Sequence, residues 1–195
     1  LAFTQNSGTH ANMKEFTKLD RALQGLELAL EGGILPGPAA SDVRGNIDKL
    51  RDWARKRAMD GTDIHEWLRR SDNSAKWDRT ESPLCWCGWL FRAASMGSRV
   101  CREVIHGQAR NAVQTAYESE LAQYHDMATR ALFWGIAKVA TPPHLQDAKV
   151  ALKRCDAALR ALGGLLEPLG VVKMNHELCL VLFTRTFSAS SANLH

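Results

Sequence analysis

Along most of the chain, apolar residues recur at steps of three and four, the period of an α-helix. Phe16, Leu19, Leu23, Leu26 and Leu30 form one such stripe and predict a helix over 14–31, ended by Gly32-Gly33. Pro36-Gly37-Pro38 reads as a connection. Ser41, or a residue before it, then caps a helix over 42–59 whose basic end suits the negative pole of the helix dipole. A short helix is expected over 63–70 and a polar loop carrying Trp77 over 71–80. Ser82-Pro83 starts a helix to about His106, with proline at the first helical position. Residues 108–140 read as one long helix stopped by Thr141-Pro142-Pro143, and 144–162 as another stopped by Gly163-Gly164. A last helix runs from Leu165 or Pro168 into the Phe183 region. β-branched alternation is scarce, so no sheet is expected. The prediction is one all-α domain over 1–195 with about eight helices, and with 1–13 and 184–195 as flexible tails.

Composition narrows the class. A chain of 195 residues, 45% of them hydrophobic, can enclose a large core. The net charge of +4 suits weak attraction to an anionic membrane surface and does not call for nucleic acid. Five cysteines make no disulfide framework. Cys85 and Cys87, two apart on a helix, point to nearly opposite sides and cannot readily share a metal. Free thiols in a reducing compartment are expected. The strongest apolar run, 178–183, is far shorter than the roughly 20 residues that cross a bilayer, and residues 1–14 lack the apolar segment of a signal peptide. These features suggest a soluble cytoplasmic protein whose membrane contact is peripheral.

Catalytic and metal motifs are missing. There is no phosphate loop, nucleophile elbow, zinc-protease helix or calcium loop, and His176-Glu177 lacks the second histidine a metalloprotease helix needs. No nucleophile stands with a base, so neither an enzyme nor a cofactor is expected.

Three places carry candidate binding chemistry. If 42–53 is helical, Asp42, Asn46, Lys49 and Trp53 stack on one stripe beside the apolar stripe of Val43, Ile47 and Leu50. The polar stripe is either a solvated flank or a site at the edge of a buried face, made of an acceptor, an amide and a cation. Tyr117, Leu121, His125, Ala128 and Leu132 share one face of the long helix. His125 there is either a core histidine with a backbone partner or a ligand group. Cys85, Trp89, Arg92 and Met96 share a face of the helix before it, where Trp89 is either core or a flat binding surface.

Taken together, Asp42-Val43-Arg44-Gly45-Asn46-Ile47-Asp48-Lys49, Trp89-Leu90-Phe91-Arg92, Ala116-Tyr117 with Tyr124-His125, and Met174-Asn175 with Glu177-Leu178 resemble the glycolipid transfer protein family. The eight-residue steps from Tyr117 to His125 and on to Phe133 match as well. The resemblance covers roughly 16–178. It implies a two-layer sandwich of about eight helices holding one sphingolipid, with the headgroup at a surface site and the chains in an apolar tunnel. It also implies roles for single residues. Asp42 accepts from a sugar hydroxyl and the ceramide N–H, Asn46 and Lys49 bind the headgroup, Trp89 faces a sugar ring and His125 donates to the ceramide carbonyl. Arg92 and Tyr117 stand behind them, and Leu121, Leu132, Phe133 and Ile136 are tunnel candidates. Where the family often has a membrane-entering Trp two residues after the histidine, this chain has Met127, the membrane-contact candidate. The expected activity is non-enzymatic transfer or sensing of a sphingolipid by a monomer that meets membranes transiently. The expected ligand is a neutral glycosphingolipid. The alternatives are an anionic sphingolipid such as ceramide-1-phosphate, or a helical interaction module that holds no lipid. No reading attaches to 179–195.

Overall fold

The computed structural model of the chain describes residues 7–59, 63, 66, 68 and 82–167, with side chains described from Met13 onward. Among the described residues there are six α-helices and no strand. They are α1 (Ser7–Glu31), α2 (Gly37–Met59), α3 (Pro83–Ile105), α4 (Ala112–Glu120), α5 (Met127–Val139) and α6 (Leu145–Leu166). Short 3-10 turns, Ala109–Asn111 and Ala122–Tyr124, flank α4. The all-α expectation stands; six α-helices lie among the described residues, against about eight expected over the whole chain. The segments expected over 71–80 and from Pro168 onward lie outside the described residues, as do most of 63–70, where Glu66 and Leu68 are helical.

Several helix ends follow local chemistry that sequence periodicity anticipates. Gly33 takes φ +76° just past α1, a left-handed backbone that favours glycine, and its N–H bonds the Leu30 carbonyl at 3.0 Å. Ser82 caps α3 by accepting from the Cys85 N–H at 3.1 Å, with Pro83 at the first helical position. Other ends differ from expectation. Helix α1 starts at Ser7 rather than Lys14. Helix α2 starts at Gly37, before Ser41, because Pro38 fits an opening turn in which the Ala40 N–H bonds the Pro36 carbonyl at 2.9 Å. Helix α6 continues through Gly163-Gly164. Two glycines cost roughly 1 kcal/mol each in a helix, and burying Leu162, Leu165 and Leu166 outweighs that at about 1.5–3 kcal/mol each.

The largest correction concerns 108–140. The expected single helix is broken between α4 and α5. His125 is extended at φ −99°, ψ 141°, and Asp126 caps α5 by accepting from the Thr129 N–H at 2.7 Å. An aspartate so placed offers the backbone a helix start where the apolar period ran on unbroken.

The core is a ring of four helices. Helix α3 packs on α6, α6 on α1, α1 on α2, and α2 back on α3. Leu23, Leu26, Ile34, Ile47, Leu50, Leu90 and Leu162 are fully buried among them. Arg51 on α2 clamps α1, bonding Asp20 at 2.8 Å and Glu27 at 2.7 Å. Cys87, Cys101 and Cys155 are free thiols, and burial pushes the Cys87 thiol up to about 12. Packing is tight at Gly97 of α3, where a Cβ would stand 2.6 Å from Ile34 Cδ1 and 3.1 Å from Cys155 Sγ, both in fully buried residues. Gly97→Val is therefore expected to lower stability by roughly 1–3 kcal/mol through overpacking, read as a lower urea midpoint. A midpoint at or above wild type would show that this contact is loose.

Helix α4 lies on α3, and α5 hangs mainly from α4. That placement brings the inner side of α5 opposite the first turns of α2 and the middle of α3, across a cleft.

Candidate functional site

Helix α2 supplies one polar edge of the cleft. Asp42 and Asn46 sit one turn apart, and Asn46 Nδ2 donates to Asp42 Oδ2 at 3.4 Å. The Asp42 residue as a whole is exposed, but its carboxyl is desolvated against the cleft wall. That burial raises its pKa above the usual carboxylate value, with the Lys49 charge opposing. Lys49 itself lies outside the cleft wall. Its Nζ stands 5.9 Å from the centre of the Trp86 ring, within the reach of a cation–π contact. Trp53, the far end of the same stripe, is half-buried against the core.

Helix α3 supplies a flat wall of Trp89, Leu90, Ala93 and Met96. Arg92 turns away from the cleft, its guanidinium 3.9 Å from the Tyr124 ring centre and 5.4 Å from that of Trp89. It is stacked on both rings.

The break between α4 and α5 supplies His125. Along a straight helix, residues eight apart are about 12 Å apart. Because the chain turns at 121–126, the Tyr117 hydroxyl and His125 Nδ1 instead lie 2.9 Å apart. The His125 ring packs 4.8 Å from Phe133, 5.6 Å from Tyr117 and 6.2 Å from Trp89, centre to centre. Phe133 stacks on Tyr117 at 5.9 Å. The histidine is 2% exposed, and that burial lowers its pKa to about 4. The Asp126 charge opposes the shift, and Arg130 and Arg92 add to it. His125 is therefore a neutral ring at pH 7. Burial pushes the Tyr117 phenol up to about 12, so it keeps its proton.

Of the sequence candidates, Asp42, Asn46, Trp89, Tyr117, Leu121, His125, Phe133 and Ile136 come together on this one cleft. Lys49, Arg92, Leu132 and Met127 are not in its wall. Leu132 is 46% exposed and Met127 88% exposed, both on the far side of α5. The sequence reading missed the cleft's outer lip, Leu35, Pro36, Pro38 and Ala39. The signal was there, since that connection is apolar and uncharged where a surface loop is usually polar.

The cleft's walls are almost wholly apolar, with Asp42, Asn46 and His125 among the few polar side chains that line it. It spans about 710 Å³ when the open mouth is included, but the cavity within is only about 60 Å³. At 10–15 Å³ per water centre, roughly five waters would fill that. Among the described residues no three His, Cys, Asp or Glu side chains are grouped to hold a metal ion, and no helix is long and apolar enough to cross a membrane.

Apolar walls that also carry Asp42, Asn46 and a neutral buried histidine suit an all-α protein that holds an amphiphilic molecule. Residues 11–144 match the glycolipid transfer protein (GLTP) family, and the chain belongs to it. Membership sets glycolipid transfer, a binding activity rather than a catalysed reaction, as the activity class. A comparison with curated protein sequences finds no match.

Proposed function

We propose that this chain moves a sphingolipid between membranes, holding the headgroup and amide at the cleft's rim and the chains between its helical layers. The observation that carries the reading is convergence. Asp42 and Asn46 from α2, Trp89 from α3 and His125 from the α4–α5 break line one apolar cleft. Carrying a ceramide through water would expose about thirty methylenes at ~0.8 kcal/mol each, of order 20 kcal/mol, unless they are enclosed. The narrow cavity means the walls must part to enclose them.

The rim chemistry suits an amide. With Tyr117 donating to Nδ1, the neutral His125 keeps its proton on Nε2 and donates to the ceramide carbonyl. Asp42 accepts the ceramide N–H, which a glycerolipid ester lacks. Asn46 donates to and accepts from sugar hydroxyls, Trp89 faces the ring, and Lys49 reaches the headgroup from outside the wall. A neutral sugar is favoured because Arg92 is stacked on Tyr124 and Trp89 rather than turned to the cleft, and a phosphate needs several fixed cations.

A competition assay tests the preference, with galactosylceramide and ceramide-1-phosphate in the same donor vesicles. Galactosylceramide is expected to move faster, by roughly tenfold for one missing cation contact. Faster movement of ceramide-1-phosphate would overturn the neutral assignment. Trp89→Arg would then sharpen the phosphate preference, and Arg92→Leu would weaken it. The protein acts as a monomer and meets the bilayer only peripherally, with Met127 and the outer side of α5 nearest to it.

A further inference from the structure

Trp86 lies in the opening turn of α3, one turn before Trp89, and is only 9% exposed. Its indole N–H is shielded from solvent and has no hydrogen-bond partner among the described residues. A buried donor normally has an acceptor, because its lost hydration otherwise goes uncompensated. Core packing alone would be served by Phe or Leu, which strand no N–H.

The neighbour of this ring is the far part of the polar stripe on α2. Helix α2 packs on α3. Asp42 and Asn46 line the cleft together with Trp89. One turn further along α2, Lys49 is exposed and holds its Nζ 5.9 Å from the centre of the Trp86 ring. A polar group on α2 and an indole on α3 thus come together twice, stepping forward on α2 and back on α3. The two places adjoin, since the Lys49 charge is felt at the Asp42 carboxyl. Their chemistry differs. Asp42 accepts and Asn46 does both, whereas the Lys49 ammonium and the Trp86 indole only donate. The carboxylates next to Lys49 on α2 are drawn elsewhere, Asp48 to Arg51 at 3.6 Å and Asp52 to Arg55 at 3.8 Å. A ligand meeting this second place must bring acceptor oxygens.

We propose that Trp86 and Lys49 form a second headgroup subsite, which takes the outer unit of a two-sugar headgroup through its acceptor oxygens. The inference rests on the transfer reading above and extends its ligand from one sugar to two. A helical turn rises about 5 Å, roughly the width of one sugar ring. With the first ring against Trp89, the next one therefore falls at Lys49 and Trp86. Lys49 is a long exposed side chain, so its head leaves the indole face for a ligand oxygen with little strain. The outer sugar then lies on the face the ammonium has left and gives the indole N–H an acceptor. A headgroup that stops at one sugar leaves that N–H stranded, and this difference makes Trp86 a specificity-determining residue.

The test supplies the full chain with glucosylceramide and lactosylceramide in equal amounts in the same phosphatidylcholine donor vesicles. Mass spectrometry of the acceptor vesicles reads the two initial rates. The wild type is expected to move lactosylceramide faster, by roughly tenfold for one to two added hydrogen bonds. Trp86→Phe keeps a ring and removes only the N–H, and the ratio of the two rates is expected to fall several-fold with circular dichroism unchanged. If that variant does not fold, Lys49→Met at its exposed position carries the same comparison, with the same fall in ratio expected. A wild-type ratio near one, or in favour of glucosylceramide, overturns the subsite and leaves the transfer reading intact. A preference for lactosylceramide that survives in folded Trp86→Phe overturns the part given to Trp86. A wild type that moves neither lipid overturns the reading beneath the inference as well.

Discussion

Asp42→Val is expected to abolish lipid transfer while leaving the protein no less stable at neutral pH, within the small helix-propensity cost of a β-branched residue. In the proposed site the carboxylate accepts two bonds, at about 1.5–3 kcal/mol each. Their loss corresponds to a hundredfold or greater loss of affinity, on the order of 3–6 kcal/mol. Stability responds in the opposite sense. Burial raises this carboxyl above its usual value, with Lys49 opposing, so the folded state holds the proton more tightly than the unfolded chain. Above the raised pKa the ionised group therefore costs stability, and valine removes that cost. Transfer between vesicles, circular dichroism and a urea midpoint at pH 7 read all three quantities. Retained transfer would sink the site assignment. A collapsed midpoint would make Asp42 a structural residue.

His125 gives the second large effect, in the pH profile of stability. Its pKa is about 4 folded, against an ordinary 6.5. Between those values the unfolded chain binds the proton and the folded protein does not, so stability rises with pH across this window. The contribution is complete above pH 6.5 and is lost as pH falls toward 4, by about 3 kcal/mol at 1.36 kcal/mol per unit. The groups around the ring do not reverse this sign, since the opposing Asp126 charge is already included in the net lowering. The raised pKa of Asp42 works the other way, easing its cost as the carboxyl protonates. His125→Asn keeps an acceptor near the Tyr117 hydroxyl and cannot take a proton, so its urea midpoint is expected to change much less between pH 6.5 and 4.5. An equal slope in the variant would place the titrating group elsewhere.

The sequence made the polar rim on α2 legible because Asp42 and Asn46 lie on one uninterrupted helix, where counting residues is counting angle. The same counting failed beyond Leu121. Counting aligns Leu132 with Leu121 and His125 as though one helix joined them, but the break at 121–126 resets the phase. It turns Phe133 and Ile136 toward the cleft and Leu132 to solvent. The clue was Asp126 three residues before Thr129, a cap that competes with an apolar rhythm too regular to suggest a stop. Gly163-Gly164 misled for a different reason. A weak local preference yielded to leucine burial on both sides, which only the assembled core reveals. Pro36-Gly37-Pro38 reads as a mere connection in sequence, because an apolar stretch acquires meaning only when another wall faces it.

Lys138 carries a consequence of its own. It projects from the middle of the outer face of α5, between the exposed Trp134 and Val139. Pairing that face with an identical one from a second copy would enclose two ammonium groups in apolar surface, at several kcal/mol each. A bilayer imposes no such penalty, because a lysine stem can lie along the chains while its head reaches the phosphate layer. On the proposed reading, one cation would thus weigh against pairing of that face between copies while leaving it compatible with a lipid surface.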